Sequence, residues 1–137
     1  MTKIIPCLLL IVLLSACHKK EAAPPACPIL FCPLQWPIVV TYVNNIDSAV
    51  VVKDFHAVDL RTDKPVVAGG TWPLKRGTYA VADYTDGKLF SAEGDDVQVT
   101  ATDSLTNQSK TVTFKIALPA CSCGMVKMSG PDTVKFN

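Results

Sequence analysis

The chain has 137 residues, and its 13 lysine and arginine residues nearly balance its 12 aspartate and glutamate residues, which leaves a formal net charge of +1 at pH 7. The balance lacks the basic excess that binding to nucleic-acid phosphates requires, so we expect no nucleic-acid partner. The length allows one domain of ordinary size after removal of an export signal, and it argues against a second domain.

The first sixteen residues have the order of a secretory signal peptide. Lys3 is followed by an apolar run from Ile4 to Leu14 and then by the small residues Ser15 and Ala16. This run is shorter than the roughly 18 residues that a permanent membrane-spanning helix needs. The sequence therefore predicts a signal peptide at 1–16.

The segment Leu14-Ser15-Ala16-Cys17 resembles the lipobox of bacterial lipoproteins. The resemblance implies that Cys17 is lipidated and becomes the first residue after cleavage. Its acyl chains would then anchor the protein to a membrane, at ~0.8 kcal/mol per buried methylene. The alternative is an ordinary signal peptide that has a cysteine near its cleavage site.

The residues that follow the lipobox cysteine are polar and then rich in alanine and proline. They hold too little apolar surface to fold alone, so residues 17–26 are interpreted as a lipidated tether. We expect the mature chain in the cell envelope, anchored to the outer membrane. Whether it faces the periplasm or the cell surface stays open.

Four cysteines remain beyond the signal and the lipidation site: Cys27, Cys32, Cys121 and Cys123. An even number of thiols in an exported chain predicts disulfides. A bond between Cys121 and Cys123 would be strained, because alternate residues of one strand lie near the upper limit of disulfide geometry. We therefore expect either two bonds between the two clusters or one such bond with a free pair of thiols, and a bond between the clusters would close a loop of ~90 residues. A zinc site and a redox-active CxC pair are the alternatives.

An apolar period of two dominates the rest of the chain and predicts antiparallel strands. The period is clearest in 97–103 and 110–118, which a polar loop joins. Asp86-Gly87 lies between two further β-rich runs and predicts a tight type I′ hairpin turn. Other runs of strand-forming residues lie at 36–43, 49–60, 64–69, 124–128 and 133–136.

Roughly seven or eight short strands without a helical period predict an all-β fold. We expect residues 27–137 to form a single antiparallel β-sandwich of immunoglobulin-like or transthyretin-like type. The stretch from Asp59 to Gly70, "DLRTDKPVVAGG", followed by "RGTYAVADYTDG", is similar to the strand-turn-strand pattern of carboxypeptidase regulatory-like and transthyretin-like domains. Asp63 stands where that pattern has a turn glycine. The resemblance implies a structural or binding module without catalytic residues.

His56 is the histidine outside the tether, and strand alternation predicts that it shares a face with Asp54 and Val58. A Ser-His-Asp arrangement could use Asp54 or Asp83. The sequence has no GxSxG motif and no serine marked by its surroundings. A solvated strand histidine is therefore the expected role of His56, and we expect no enzymatic activity.

Asp83, Asp86, Asp95 and Asp96 lie close together in the sequence and are candidate calcium ligands, since calcium takes carboxylate oxygens. Their spacing fits no EF-hand loop. Turn formation and solubility account for the same residues. We expect no metal and no other cofactor.

Two aromatic residues, Trp72 and Tyr84, are candidate ligand-binding side chains. Trp72 lies in a loop-like stretch between glycine and proline, where a large ring is hard to bury and can stack on a sugar or anchor a protein. The alternative is that Trp72 covers one end of the domain, as Trp36 is expected to cover the other.

We expect a non-catalytic binding or structural accessory module, monomeric and held to the membrane by its N-terminal lipid. Its partner is expected to be an envelope protein or a glycan. One alternative is a glycan-binding module that uses Trp72. The other is a thiol redox or metal protein that uses Cys121 and Cys123.

Overall fold

The computed structural model describes Cys27, residues 35–69 and residues 74–137. Eight strands are present in this part of the chain: β1 (Ile38–Val43), β2 (Val52–Asp59), β3 (Lys64–Val66), β4 (Thr78–Ala82), β5 (Asp95–Asp103), β6 (Ser109–Ala117), β7 (Val126–Ser129) and β8 (Thr133–Lys135). A 3₁₀ helix, Tyr84–Leu89, lies between β4 and β5. The predicted all-β fold is confirmed. No helix within the described ranges is long and apolar enough to span a membrane.

The strands form two sheets that share a hydrophobic core. One sheet has the order β4-β1-β8, and the other has the order β3-β2-β5-β6-β7. Val40 and Tyr42 of β1 pack in the same fully buried cluster as Val99, Phe114 and Ile116 of β5 and β6. Each such side chain contributes roughly 1.5–3 kcal/mol by burial, so the core holds the two sheets together.

Strand β8 departs from the predicted antiparallel arrangement. β1 pairs with β4 antiparallel, but it pairs with β8 in parallel. After β7 the chain crosses from the five-stranded sheet to the other one through Gly130, at φ 123°, and Asp132, whose carbonyl accepts from the Thr41 N–H at 2.9 Å. The crossing sets the direction of β8, and side-chain alternation carries no information about it.

The hairpin predicted at Asp86-Gly87 is wrong, because these residues lie inside the 3₁₀ helix. The Asp83 carboxylate accepts from the Thr85 N–H at 2.8 Å, and the Asp86 carboxylate accepts from the Asp83 N–H at 3.0 Å. This reciprocal capping box satisfies N–H groups that a helix start would otherwise leave unpaired. Local capping therefore outweighs the turn preference of Asp-Gly.

The loops after β2 and after β5 are built in the same way. Asp59 and Asp103 are buried, and each accepts from the N–H two residues ahead and from the threonine hydroxyl three residues ahead, at 2.7–2.9 Å. Each loop then has a residue in the left-handed region, Asp63 at φ 54° and Asn107 at φ 56°. Aspartate and asparagine tolerate this region, which explains why Asp63 can stand where a glycine was expected.

One of the expected bonds between the cysteine clusters is present. Cys27 is bonded to Cys121, with their Cα atoms 5.0 Å apart and a sequence separation of 94. Cys123 is disulfide-bonded as well, and its partner lies outside the described residues. The bond joins the segment that precedes β1 to the loop between β6 and β7.

Candidate functional site

A pocket of about 360 Å³ lies where the edges of the two sheets face each other. It is lined by residues 55–57 of β2, residues 65–68 at and after β3, and residues 79–80 of β4. β3 and β4 are the edge strands of their sheets, and Pro65 removes a backbone donor from the β3 edge. The volume falls within the range of small-ligand sites, roughly 300–1,000 Å³.

Two stacked aromatic rings form one wall of this pocket. The centroids of Phe55 and Tyr79 are 5.2 Å apart with an interplanar angle of 26°. The Tyr79 hydroxyl accepts from the Val52 N–H at 2.9 Å, which fixes the ring. Tyr42 packs edge-on against both rings from the core side. The wall is therefore apolar and held in place by contacts on either side.

Behind the wall, the Tyr42 hydroxyl is buried and has no hydrogen-bond partner among the residues that the structure describes. Burial, together with the nearby Tyr79, raises the pKa of Tyr42 to about 12. The phenol is therefore neutral at every physiological pH. A buried hydroxyl without a partner costs roughly 1–3 kcal/mol.

Replacing Tyr42 with phenylalanine should leave the free energy of unfolding unchanged or raise it by up to about 1 kcal/mol, because the change removes an unpaired polar group. The matched variant Tyr79→Phe loses the bond with Val52 and should be less stable by roughly 1 kcal/mol. Urea unfolding of the two variants measures both effects. A greater loss for Tyr42→Phe than for Tyr79→Phe would contradict the assignment.

His56 supplies a polar group to the pocket. Its Nδ1 lies 2.9 Å from the backbone carbonyl of Asp54. Because a carbonyl only accepts, Nδ1 carries the proton, and Nε2 of the neutral ring is an acceptor. β2 has a bulge between Lys53 and His56, with Asp54 at φ 53°. The bulge interrupts the alternation from which a shared face of His56 with Asp54 and Val58 was predicted.

The carboxylates named with His56 do not form a catalytic relay with it. His56 Nδ1 donates to the backbone carbonyl of Asp54 and not to its carboxylate. Asp83 is buried and accepts from the Thr85 N–H and hydroxyl at 2.8 and 2.5 Å. These contacts give Asp83 the role of a helix cap.

Asp86 forms a hydrogen bond with Val67, one of the residues that line the pocket. Its Oδ1 accepts from the Val67 N–H at 3.2 Å, and its Oδ2 accepts from the Asp83 N–H. Burial raises the pKa of Asp86, although these two N–H groups act in the opposite direction. The folded chain therefore binds this proton more tightly than the unfolded chain, and ionisation of Asp86 lowers stability as the pH rises above the ordinary carboxyl range.

The four candidate calcium ligands have separate roles. Asp83 and Asp86 cap the 3₁₀ helix, Asp95 binds Arg61, and Asp96 is exposed. Among the described residues, no three histidine, cysteine, aspartate or glutamate side chains come together as metal ligands. The structure thus does not assemble the carboxylates that the sequence placed close together.

Of the other candidate residues, Cys17, Cys32 and Trp72 lie outside the described residues. Tyr84 is the first residue of the 3₁₀ helix and is 60% exposed. It does not line the pocket.

Comparison of the chain with protein-family models, with curated proteins and with solved structures gave no match.

Sequence reasoning missed the pocket. Phe55 and Tyr79 lie in strands that were predicted, but they meet only because β2 and β4 belong to different sheets. Pro65 was the one local signal, since proline within a sheet marks an edge strand. That signal predicts an edge but not what faces it.

Proposed function

We propose that this chain is a lipid-anchored, non-catalytic binding module of the cell envelope, an immunoglobulin-like or transthyretin-like β-sandwich that binds a small aromatic ligand. The pocket between β2, β3 and β4 carries this proposal. The anchor is the acyl chain expected on Cys17, and the outer membrane is the expected location.

The pocket walls indicate the ligand's chemistry. The Phe55 and Tyr79 rings offer faces and edges on which another ring can stack, which is worth roughly 0.5–1.5 kcal/mol beyond area burial. With Nδ1 donating to Asp54, the Nε2 atom of a neutral His56 ring can accept, so the proposed ligand presents a hydroxyl or amine donor. A phenol-like molecule meets both requirements, with its ring on the aromatic wall and its donor toward His56.

The cysteines support a binding module rather than a thiol protein. Cys121 is bonded to Cys27, and Cys123 is disulfide-bonded too. A reactive CxC pair needs thiolates, which oxidised cysteines do not supply. The glycan-binding alternative depends on Trp72 and stays a prediction.

Filling the pocket should weaken ligand binding. The probe is 4-fluorophenol, and its ¹⁹F signal is followed while the full-length lipidated protein in nanodiscs is titrated, with empty nanodiscs as the blank. Ala68 lines the pocket, whereas Ala92 is exposed in the loop before β5. We expect Ala68→Phe to weaken binding at least tenfold, while Ala92→Phe binds like the wild type. Equal affinity for the two variants would overturn the proposal.

His56→Ala should weaken 4-fluorophenol binding by about 2- to 10-fold, the range expected for one hydrogen bond. Fluorobenzene, which lacks the donor, should bind the wild type and His56→Ala equally well. A His56→Ala variant that loses affinity for both probes alike would contradict the hydrogen-bonding role of Nε2.

A further inference from the structure

Several strand termini meet at one end of the molecule. In the three-stranded sheet, Ile38 at the start of β1 pairs with Ala82 at the end of β4. In the five-stranded sheet, Asp95 at the start of β5 pairs with Ile116, one residue before the end of β6. β2 ends beside the start of β5, since Asp59 pairs with Val97.

Contacts between the loops show that the two sheets share this end. The Leu118 N–H after β6 donates to the Ser91 carbonyl at 2.9 Å. The Arg61 guanidinium after β2 donates to the Leu89 carbonyl at 2.6 Å. Cys121 follows in the same loop as Leu118, so the Cys27–Cys121 bond lies here. We call this the disulfide end, formed by residues 35–37, 60–63, 83–94 and 118–125.

Three large apolar side chains are exposed at the disulfide end. Trp36 was expected to cover one end of the domain but is 76% exposed, and it stands two residues before Ile38. Tyr84 is 60% exposed and stands two residues after Ala82, and Leu60 is 51% exposed directly after β2. Because Ile38 pairs with Ala82, Trp36 and Tyr84 extend from the same end of the three-stranded sheet.

The Cys27–Cys121 bond holds Cys27 at this same end of the domain. Cys17 and Cys27 are ten positions apart in the sequence. The tether expected from the sequence at 17–26 would span about 16–19 Å on average and at most about 36 Å. The radius of gyration of a domain of this size is about 13 Å. A lipid on Cys17 would therefore hold the disulfide end closer to the bilayer than the opposite end.

We infer that the disulfide end contacts the membrane surface, with Trp36, Tyr84 and Leu60 in the interfacial layer. The inference rests on the proposed lipid anchor. Tryptophan and tyrosine have an apolar ring and a polar group, which suits them to the boundary between lipid headgroups and acyl chains. In this orientation the exposed surfaces of Trp36, Tyr84 and Leu60 contact lipid rather than water.

Quenching by brominated lipids tests this orientation. Trp72→Phe leaves Trp36 as the single tryptophan of the full-length chain. The control is Trp36→Phe/Trp72→Phe/Leu105→Trp, which places the single tryptophan in the loop between β5 and β6 at the opposite end, where Leu105 is 87% exposed. Both lipidated proteins are reconstituted into phosphatidylcholine vesicles with and without brominated acyl chains.

We expect brominated lipid to reduce Trp36 emission at least twofold and to leave emission from position 105 nearly unchanged. Equal quenching at the two positions, or none at Trp36, would overturn the inference. An unquenched and blue-shifted Trp36 would show that protein covers this end instead of lipid.

The mass of the mature protein separates this inference from the proposal on which it rests. A chain without acyl groups on Cys17 would overturn the lipid anchor and the membrane orientation together. A chain that is acylated on Cys17 but has unquenched Trp36 would overturn the orientation alone.

Discussion

Removing all four cysteines of the two clusters should lower the free energy of unfolding by roughly 4 kcal/mol. The Cys27–Cys121 bond joins residues separated by 94 positions, and the entropic cost of closing a loop grows with its length. Cys123 is disulfide-bonded too, and we expect its partner to be Cys32. Urea unfolding of the wild type and of the variant with serine at all four positions measures the difference.

The two bonds should not contribute additively. Cys27→Ser/Cys121→Ser leaves the expected second bond in place, and that bond closes nearly the same loop, so a loss of only about 1–2 kcal/mol is expected. Mapping of non-reduced peptides by mass spectrometry identifies the partner of Cys123 directly. If the double variant is as unstable as the fourfold variant, then the remaining cysteines do not connect the same two segments.

Replacing Asp95 with asparagine should destabilise the fold by about 2 kcal/mol at pH 7. Asp95 is 3% exposed and accepts from Arg61 Nε at 2.6 Å and Nη2 at 2.9 Å, and from the N–H and hydroxyl of Ser91 at 2.8 Å. Asparagine removes the charge and turns one acceptor into a donor. The variant thus leaves a donor of Ser91 or Arg61 without a partner.

The same variant should change how stability depends on pH. The hydrogen bond from Arg61 is the main cause that lowers the pKa of Asp95 to about 2, from an ordinary value of 3.8. The folded chain therefore binds this proton less tightly than the unfolded chain. The extra stability is fully present above about pH 4 and is lost as the pH falls through about 2. The difference between wild type and Asp95→Asn should shrink over that range.

Asp96 provides the matched control, because it is the next residue along β5 and is exposed. Asp96→Asn should change the free energy of unfolding by less than about 0.5 kcal/mol at pH 7 and at pH 3. Thermal or urea unfolding at pH 7 and at pH 3 compares the three proteins. An Asp95→Asn variant that behaves like Asp96→Asn would contradict the assigned network.

Strand positions were largely predictable, whereas helical capping was not. Along β5 the buried residues Val97, Val99 and Ala101 alternate with more exposed ones, and this pattern depends only on neighbouring residues. The hairpin turn predicted at Asp86-Gly87 is wrong, because Asp83, three residues before Asp86, forms a capping box with it and starts a 3₁₀ helix instead. Short-range rules fail where a second polar side chain offers the backbone a better partner.

The loops after β2 and after β5 share a sequence pattern that would have predicted both turns. Asp59 and Asp103 each have a threonine three residues ahead and a left-handed residue four residues ahead. The repeated pattern marks both strand ends, since each carboxylate accepts from the loop that follows it. A search for aspartate with threonine at the third following position would have found both turns.

By itself the sequence determined where most of the strands lie and that a disulfide joins the two cysteine clusters, because strand periodicity is local and a bond within the CxC pair would be strained. Only the tertiary structure decided the parallel pairing of β8 with β1, the hydrogen bond of Asp86 with Val67, and the stacking of Phe55 on Tyr79. Each of these joins residues far apart in the chain. Their geometry depends on how two sheets pack around a shared core, and the order of residues along one strand does not encode it.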